Sequence, residues 1–471
     1  MAGAAPNHEF ASRRARLAFS LTRLGAGALL AAVTSACSAE EAAPAAASDV
    51  VVFNDNGGWC WYQDERVIFD PRAGALLIGS VASAKGPGGK TRGGDVDLVS
   101  YDVDTGEKTR VTLDHIGRDD HNAPALLLRQ DGRYLAMYTN HNRDRLSRYR
   151  ISSAPHYAEG WGPKLTFDWR AEIGSNFNTT YSNLFYLSAE GRTYDFARAD
   201  GRSPNMLVSD DDGETWRHAG RLTESKNLGY VNGYFKYASL GVDRIDFIAT
   251  EHHPRDYDTS VYHGYLQGGK LHRSDGTVID EDAFDGDAPV PSAFTPVLTA
   301  GATIGGETLT HAWIAALRID AKGQPHAILT ARANDAPENT NFDDHRFVYA
   351  RFDGADWHVH PLAQAGAALY DDEEDYTGLG ALDPHDAGRL YISTAIDPRN
   401  GVTTKKHEIY RGETTDDGAT WEWTAITESS DVDNLRPVVP AWDGKRTALL
   451  WLRGTYFSMN SYELAVVGII R

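Results

Sequence analysis

The chain alternates short runs of apolar and β-branched residues with turn-forming residues along most of its length. Alternation is clear at Leu98–Val103, and the turn residues Asp104-Thr105-Gly106 separate this run from the next one at Thr109–Leu113. Similar runs follow Asp-Gly pairs, as at Tyr134–Tyr138 and Ala448–Leu452. Short runs bounded by such turn residues are typical of β-strands. Since no segment shows an apolar period of 3.6 residues over three helical turns, the pattern predicts an all-β chain.

Two eight-residue segments share the pattern Ser/Thr-x-Asp-x-Gly-x-Thr-Trp. They are Ser209–Trp216 and Thr414–Trp421. In such a turn the Asp carboxylate accepts amide hydrogens, the Gly takes a positive φ, and the Trp packs beneath the loop. This Asp-box turn is typical of the blades of a β-propeller. We give it a structural role and no catalytic one.

The spacing of the two Asp-boxes gives a first estimate of the number of blades. At roughly 45–60 residues per four-stranded blade, the two turns are expected about four blades apart. The chain from residue 49 onward would then hold about seven blades. Six or eight blades remain open on this argument.

The first 37 residues have the layout of a signal peptide. The basic stretch Ser12-Arg13-Arg14 precedes the apolar run Leu24–Val33, and small residues then lead to Cys37. The paired arginines resemble a twin-arginine export signal, and Cys37 after Ser-Ala resembles a lipoprotein cleavage site. We therefore predict an exported protein that is secreted, periplasmic or lipid-anchored at the cell surface.

This layout divides the chain into three parts. Residues 1–37 are the predicted signal peptide, residues 38–48 a flexible tether, and residues 49–471 a β-propeller catalytic domain. No later segment is apolar over the length of a membrane span, so membrane contact is expected only through a lipid on Cys37. Because Cys60 is the one other cysteine, no disulfide framework is expected.

The formal net charge of −20 at pH 7 argues against nucleic acid as a partner. Phosphate backbones would be repelled by such a protein overall. An acidic polysaccharide is still compatible, because a cleft lined by Arg, Lys and His can be locally positive. An acidic surface adapted to salty surroundings is an equally simple interpretation, and the two are compatible.

Two histidines bracket one predicted hairpin. His121 precedes the apolar strand Ala125–Leu128, and His141 follows the strand Tyr134–Tyr138. Their loops are therefore expected to open at the same end of the blade and to face a common site. The alternative is that both are ordinary surface histidines.

A tyrosine and an arginine bracket the next predicted hairpin in the same way. Tyr181 precedes and Arg198 follows the hairpin at residues 184–197, while Tyr237 lies ahead of the strand Arg244–Thr250. The structural alternative makes both tyrosines core aromatics and places Arg198 in a local ion pair.

An imidazole, a phenol and a guanidinium together suit β-elimination from a uronic acid. This reaction needs a cation or donor on the C6 carboxylate, a base for the C5 proton and an acid for the departing O4. Sialidase-type hydrolysis would need three arginines around a carboxylate, which the sequence does not supply in one place. A glycoside hydrolase of sialidase-like architecture and a non-catalytic glycan-binding propeller remain the alternatives.

Several segments resemble the BNR-4 repeat proteins that include the ulvan lyases of polysaccharide lyase families 24 and 25. The resemblance covers nearly the whole chain from residue 49 onward. The segments are Gly58–Asp64, His121-Asn122-x-Pro124, the stretch from Tyr237 to Phe247, Thr250–Arg255, Val261–Tyr265, Ala312-Trp313, Asp344–Arg346 and Asp375–Gly378.

The resemblance implies a seven-bladed propeller that cleaves ulvan, a sulfated rhamnose–uronate polymer, and leaves a 4,5-unsaturated uronate. By this resemblance His121 and Tyr181 are the catalytic proton-transfer pair, with the assignment of base and acid left open. His141 and Arg198 would neutralise the carboxylate or bind a subsite. Tyr237 would be a further substrate contact. Arg202 lies in the same segment as Arg198 and is an alternative to it.

The resemblance also implies a structural metal ion, zinc or calcium. His253 and His263 are the expected ligands, with Glu251 or His252 as further candidates for a site of nitrogen and oxygen donors. The alternative is a His-Pro turn with ordinary hydrogen bonds. No cofactor is expected for the chemistry itself.

Overall fold

The structure is a computed structural model that describes residues 49–64, 66–224, 233–333 and 343–471. The predicted signal peptide and tether lie outside the described residues. Within the described ranges, no helix combines the length and the apolar character needed to cross a membrane.

The strands form seven antiparallel sheets, numbered here as blades 1 to 7 in chain order. The chain first forms β1 (Val51–Asn54), which belongs to blade 7. Blade 1 contains β2 (Val67–Asp70), β3 (Ala75–Val81), β4 (Asp95–Asp102) and β5 (Lys108–His115). Blade 2 contains β6 (Ala125–Leu128), β7 (Tyr134–Thr139), β8 (Leu146–Ala154), β9 (Tyr157–Trp161) and β10 (Leu165–Asp168). Blade 3 contains β11 (Leu184–Leu187), β12 (Arg192–Arg198), β13 (Pro204–Ser209) and β14 (Arg217–Arg221).

The remaining four blades include the longest strands. Blade 4 contains β15 (Phe235–Ala238), β16 (Arg244–Thr250), β17 (Val261–Gln267), β18 (Lys270–Arg273), β19 (Val278–Asp280) and β20 (Thr295–Leu298). Blade 5 contains β21 (Ala302–Ile304), β22 (Glu307–Ile319), β23 (Pro325–Ala333), β24 (His345–Phe352) and β25 (Trp357–Gly366). Blade 6 contains β26 (Gly380–Leu382), β27 (Arg389–Ile396), β28 (Thr403–Glu413) and β29 (Glu422–Ala425). Blade 7 contains β30 (Asp433–Val438), β31 (Ala448–Ser458) and β32 (Ser461–Ile470) together with β1.

Helices contribute little to the described part of the chain. The α-helices are α1 (Gly89–Arg92) and α2 (Trp169–Ile173), and short 3-10 helices occupy Asp120–Asn122, Asp200–Arg202 and Pro291–Ala293. The predicted strands are confirmed, and the all-β seven-bladed propeller is confirmed with them.

The first strand closes the ring of blades. In β1, Val51 pairs with Gly468 and Val52 pairs with Val467 of β32. The sheet order of blade 7 is β1-β32-β31-β30, so β1 lies at the edge opposite β30. One blade is therefore built from both ends of the described chain.

The Asp-box turns lie in blades 3 and 6, between β13 and β14 and between β28 and β29. Asp416 accepts a hydrogen bond from the Thr420 amide at 2.9 Å, and Gly418 has a φ of 95°. The predicted turn geometry is confirmed. The predicted distance of about four blades is wrong, because the turns are three blades apart. Blades 4 and 5 are longer than average, with the additional strands β19, β20 and β21 and the 13-residue strand β22.

A cavity of about 960 Å³ is lined by residues from all seven blades. Its walls include the ends of the inner strands, such as Leu128 of β6, Tyr186 of β11 and Ile319 of β22. Asp64, from the segment Trp59–Asp64, also lines it. The cavity therefore lies at the end of the ring at which the inner strands finish.

Candidate active site

A short 3-10 helix at Asp120–Asn122 holds His121 directly before β6. The Asp119 side chain caps this helix, and its Oδ1 atom accepts a hydrogen bond from the His121 amide at 3.1 Å. Asp is favoured at such positions because its short side chain reaches the free amides of the first turn. The His121 side chain is buried at 4% exposure. Its ring is therefore fixed at the start of an inner strand, at the end of the ring away from the cavity.

His141 lies against His121, although it follows a different strand, β7. The Asn122 side chain accepts a hydrogen bond from the His141 amide at 2.7 Å and donates one to the Gly117 carbonyl at 2.8 Å. The two imidazoles stack with ring centroids 3.9 Å apart and an interplanar angle of 16°. The two histidines that bracket the hairpin thus meet in one site.

One carboxylate contacts both imidazoles. Asp119 Oδ1 lies 2.7 Å from His121 Nδ1, and Asp119 Oδ2 lies 2.8 Å from His141 Nδ1. Asp120 Oδ1 lies 2.9 Å from the same His121 nitrogen, while Asp120 Oδ2 accepts a hydrogen bond from the Tyr456 hydroxyl at 2.8 Å. The histidine pair is therefore held on its Nδ1 side by acidic residues.

These contacts give the two rings different charges. Burial alone would lower the pKa of His121, but the neighbouring Cys60 sulfur and the Asp119 carboxylate raise this pKa well above its usual value. Burial and the charge on His121 lower the pKa of His141 to about 4. Burial opposes the ionisation of Asp119, but the cationic His121 and the hydrogen bonds from both imidazoles hold the pKa of Asp119 far below its usual range. At neutral pH the stack therefore carries one positive charge, on His121, beside an ionised Asp119.

Tyr181 approaches this pair from blade 3. Its ring centroid lies 5.5 Å from that of His121, and its backbone has a φ of 69°. A positive φ is uncommon outside glycine and persists where the surroundings impose it. Here Thr180 and Arg198 exchange two backbone hydrogen bonds of 2.8 Å directly beside Tyr181. This bridge connects the loop before β11 to the end of β12.

Arg198 completes the cluster. Its guanidinium carbon lies 4.9 Å from the centroid of the Tyr181 ring and 5.4 Å from that of Tyr234. A guanidinium over an aromatic face is attracted by the ring quadrupole. The structure thus brings together four predicted site residues, namely His121, His141, Tyr181 and Arg198.

Tyr237 lies deeper in the ring. It is 4% exposed in β15, its ring centroid lies 4.4 Å from that of Phe196, and its amide donates a hydrogen bond to Asp64 at 3.2 Å. It lines the central cavity and also a void of about 20 Å³ that Tyr181 and Arg198 share. Its ring therefore packs beneath the cluster, among apolar neighbours.

The segment Trp59–Asp64 supports the site from inside the ring. Gln63 Nε2 donates a hydrogen bond to the His121 carbonyl at 2.5 Å. The Gln63 carbonyl accepts hydrogen bonds from the Lys236 ammonium and, at 2.7 Å, from Arg436. Since Lys236 belongs to blade 4 and Arg436 to blade 7, this segment connects the His121 loop to distant blades.

Sequence reasoning assigned no role to Asp119, Asp120 or Gln63. A signal was present for the two acids, because Asp119 and Asp120 directly precede His121 in the sequence. Carboxylates beside a histidine are the usual means of fixing its tautomer and raising its pKa. For Gln63 no local signal exists, since its contact with the His121 carbonyl depends on ring closure.

The two residues proposed as metal ligands have different partners. His253 packs on Tyr234, the ring that Arg198 also contacts. His253 Nε2 lies 3.4 Å from Glu373, whereas His263 hydrogen bonds to Ser274 at 2.8 Å and to Asp246 at 3.1 Å. Both ring nitrogens of His263 are thus already engaged by protein groups. Among the described residues, the groups with the spacing of metal ligands include neither histidine. The pair His253 and His263 does not fit a shared metal site.

A seven-bladed ring with Asp-box turns and a polar cluster at one end defines a β-propeller of the BNR repeat class. The chain belongs to the BNR repeat-containing family, whose model matches residues 89–365. The resemblance inferred from the sequence is thereby confirmed. Among curated proteins, no sequence match is significant.

The chain is also similar to solved structures of ulvan lyases. One is a polysaccharide lyase of family 25 bound to -[GlcA(1-4)Rha3S]-, with a TM-score of 0.62, 13% identity, and coverage of 89% of this chain and 97% of that one. A second is the polysaccharide lyase Uly1, with a TM-score of 0.52, 12% identity, and coverage of 88% and 91%. At these identities the likeness shows a shared fold.

Proposed function

We propose that this protein is a polysaccharide lyase that cleaves a uronate-containing sulfated glycan, ulvan, by β-elimination. The observation that carries the proposal is the contact of His121, His141, Tyr181 and Arg198 at one end of the ring. The shared fold with an ulvan lyase bound to a glucuronate–rhamnose sulfate oligosaccharide supports the choice of substrate.

The cluster contains the groups that elimination requires. Arg198 is the cation for the C6 carboxylate, whose neutralisation makes the C5 proton more acidic. A cationic His121 with Nδ1 on Asp119 has no lone pair to accept a proton, so we assign it as the acid that donates from Nε2 to O4. Tyr181, acting in its ionised form beside the cations of Arg198 and His121, is then the base: its phenolate oxygen takes the C5 proton and becomes a phenol. The C4–O4 bond breaks as the C4–C5 double bond forms, and O4 leaves with the proton from His121.

The alternatives fit the site less well. Sialidase-type hydrolysis would use three arginines around a carboxylate, whereas the four clustered side chains include one. A glycan-binding propeller without activity would gain nothing from a cationic histidine held beside a strained tyrosine. Strain of this kind is concentrated at functional sites.

The test is digestion of ulvan followed by ultraviolet absorbance. Elimination produces a conjugated 4,5-unsaturated uronate with a new absorbance band, hydrolysis produces reducing ends without that band, and a binding protein produces neither. We expect the band to appear with the native protein.

Two variants test the assigned residues. His121→Ala and Tyr181→Phe should each lower kcat by about 10²–10⁴-fold, the range that a positioned acid or base contributes. Tyr149→Phe is the matched control. It removes a tyrosine hydroxyl outside the cluster, one that donates a hydrogen bond of 3.0 Å to the Glu214 carbonyl. Near-native turnover in either site variant would remove that residue from the mechanism.

A further inference from the structure

The carboxylate of Asp119 is the one group in the cluster that contacts both imidazoles. Each of its oxygens contacts one ring: Oδ1 lies 2.7 Å from His121 Nδ1, and Oδ2 lies 2.8 Å from His141 Nδ1. An ionised carboxylate only accepts hydrogen bonds, so both contacts require a hydrogen on Nδ1. In the described part of the chain, the Nε2 atoms of the two rings make no protein hydrogen bond. Asp119 therefore determines which nitrogen of each ring is available to a ligand.

The close stacking of the two rings also limits the charge that the pair can carry. Two imidazolium ions with centroids 3.9 Å apart would repel each other strongly in a buried site, so the stack favours a single added proton. Asp119 carries the one negative charge that touches both rings. Its Oδ1 atom also caps the 3-10 helix that begins at Asp120. The same side chain thus fixes the backbone of the loop, the tautomer of each ring and the charge of the pair.

We infer that Asp119 is a positioning residue that holds both imidazoles with hydrogen on Nδ1 and confines one positive charge to the stacked pair. The inference rests on the proposed function only for its effect on turnover. The fixed tautomers themselves follow from the hydrogen bonds alone.

Other groups near the pair also act on its charge. Among the residues that the structure describes, the titratable and charged groups that face it are Cys60, Asp120, Tyr181, Arg198, Tyr370, Tyr456 and Tyr462. Of these, Asp120 is the other carboxylate in contact with an imidazole, and it contacts His121. Asp120 can therefore support the cation on His121 but is not seen to fix His141.

Asp119→Asn is the most direct test. An amide offers one acceptor oxygen and one donor nitrogen, so it can satisfy Nδ1–H of one ring only, and the other ring must move its hydrogen to Nε2. Nitrogen-15 NMR of histidine-labelled protein reports the tautomer of each ring, and the site signals are assigned with His121→Gln and His141→Gln. In the native protein we expect His141 as the neutral Nδ1–H tautomer and His121 as an imidazolium with hydrogen on both nitrogens, and we expect at least one changed ring in Asp119→Asn.

Activity gives the second measurement. Asp119→Asn should lower kcat by about 10²–10⁴-fold, as loss of a tautomer-fixing carboxylate does in other enzymes, with KM changed less. The alkaline limb of the kcat profile should move to lower pH, because His121 loses one of the charged groups that raise its pKa. Asp114→Asn is the control, since Asp114 contacts Lys164 and Tyr138 and not the imidazoles.

The outcomes separate this inference from the proposed function. Native tautomers retained in Asp119→Asn would overturn the positioning role, and so would changed tautomers with an unchanged kcat. If the native protein does not cleave ulvan, the proposed function fails, whereas the NMR result still decides whether Asp119 fixes the rings. Asp119→Ser keeps a capping oxygen for the His121 amide but reaches at most one ring, so it provides the same test if Asp119→Asn does not fold.

Discussion

A buried histidine far from the candidate active site should control the stability of the ring in acid. His326 lies in β23, is 2% exposed and lines the central cavity. Burial lowers the pKa of His326 to about 4, and the nearby Asp320 charge opposes this shift only in part. In the unfolded chain the same side chain would titrate near its ordinary value of about 6.5.

The sign of the effect follows from these two pKa values. Between about pH 6.5 and pH 4 the unfolded chain binds a proton at this position that the folded chain does not, so stability falls as the pH falls through this range. The difference of about 2.5 pKa units corresponds to about 3.5 kcal/mol in full, since one unit is about 1.4 kcal/mol. At about pH 4.5 most of it, about 2.5 kcal/mol, should already be lost.

The perturbation is His326→Gln, which keeps a polar side chain but cannot titrate. The free energy of unfolding would be measured by urea denaturation at about pH 7 and about pH 4.5 for the native protein and the variant. We expect the variant to lose about 2.5 kcal/mol less than the native protein between the two pH values. The variant's stability at neutral pH is a separate quantity and does not enter this comparison.

Leu329→Ala is the matched control, because Leu329 lies in the same strand and is fully buried. It should cost about 2–5 kcal/mol at both pH values and leave the pH dependence of the native protein unchanged. If native protein and His326→Gln lose the same free energy on acidification, burial does not lower the pKa of His326 and the reasoning is refuted.

Three further predictions concern the framework of the ring. Arg332→Met should lower the free energy of unfolding by about 3–5 kcal/mol, because it removes the two hydrogen bonds of 2.7 and 2.6 Å that Arg332 donates to the buried Asp375 carboxylate and leaves the longer contact with His345 at 3.3 Å. Urea denaturation measures this, and a loss below about 1 kcal/mol would contradict it. Gly418→Ala should lower the thermal midpoint, because its φ of 95° disfavours a side chain and the new Cβ would overlap the Tyr349 ring; an unchanged midpoint would show that the turn can relax. Trp451→Ala should cost about 3–5 kcal/mol in urea denaturation, since the ring is fully buried, and a small loss would mean that the neighbouring strands fill the space.

The fold was predictable because its signals are local. Alternation of apolar and polar residues identifies strands such as β4 and β31, and each Asp-box needs only its own eight residues to form. The distance between the two turns was misjudged for the opposite reason. The prediction assumed blades of equal length, and an average blade length does not account for the extra strands of blades 4 and 5.

The grouping of site residues was predictable from topology. A loop before an inner strand and a loop after its hairpin partner open at the same end of a blade, which brings His121 to His141 and Tyr181 to Arg198. The bidentate role of Asp119 and the positive φ of Tyr181 could not be read from the sequence, because both depend on how closely two loops of one blade approach each other. Gln63 could not be identified either, because its partners Lys236 and Arg436 lie 173 and 373 residues away along the chain.

The pairing of β1 with β32 sets a condition on how the protein folds. Val51 can pair with Gly468 only after nearly all of the described chain has been synthesised and the intervening blades have brought β1 close to β32. Such a long-range contact costs loop-closure entropy before it contributes stability, which slows folding. Until then blade 7 lacks its fourth strand, and the exposed edge of β32 is open to pairing with another molecule. A chain shortened by its last ten residues would therefore lose the strand that joins its two ends, and not merely a peripheral segment.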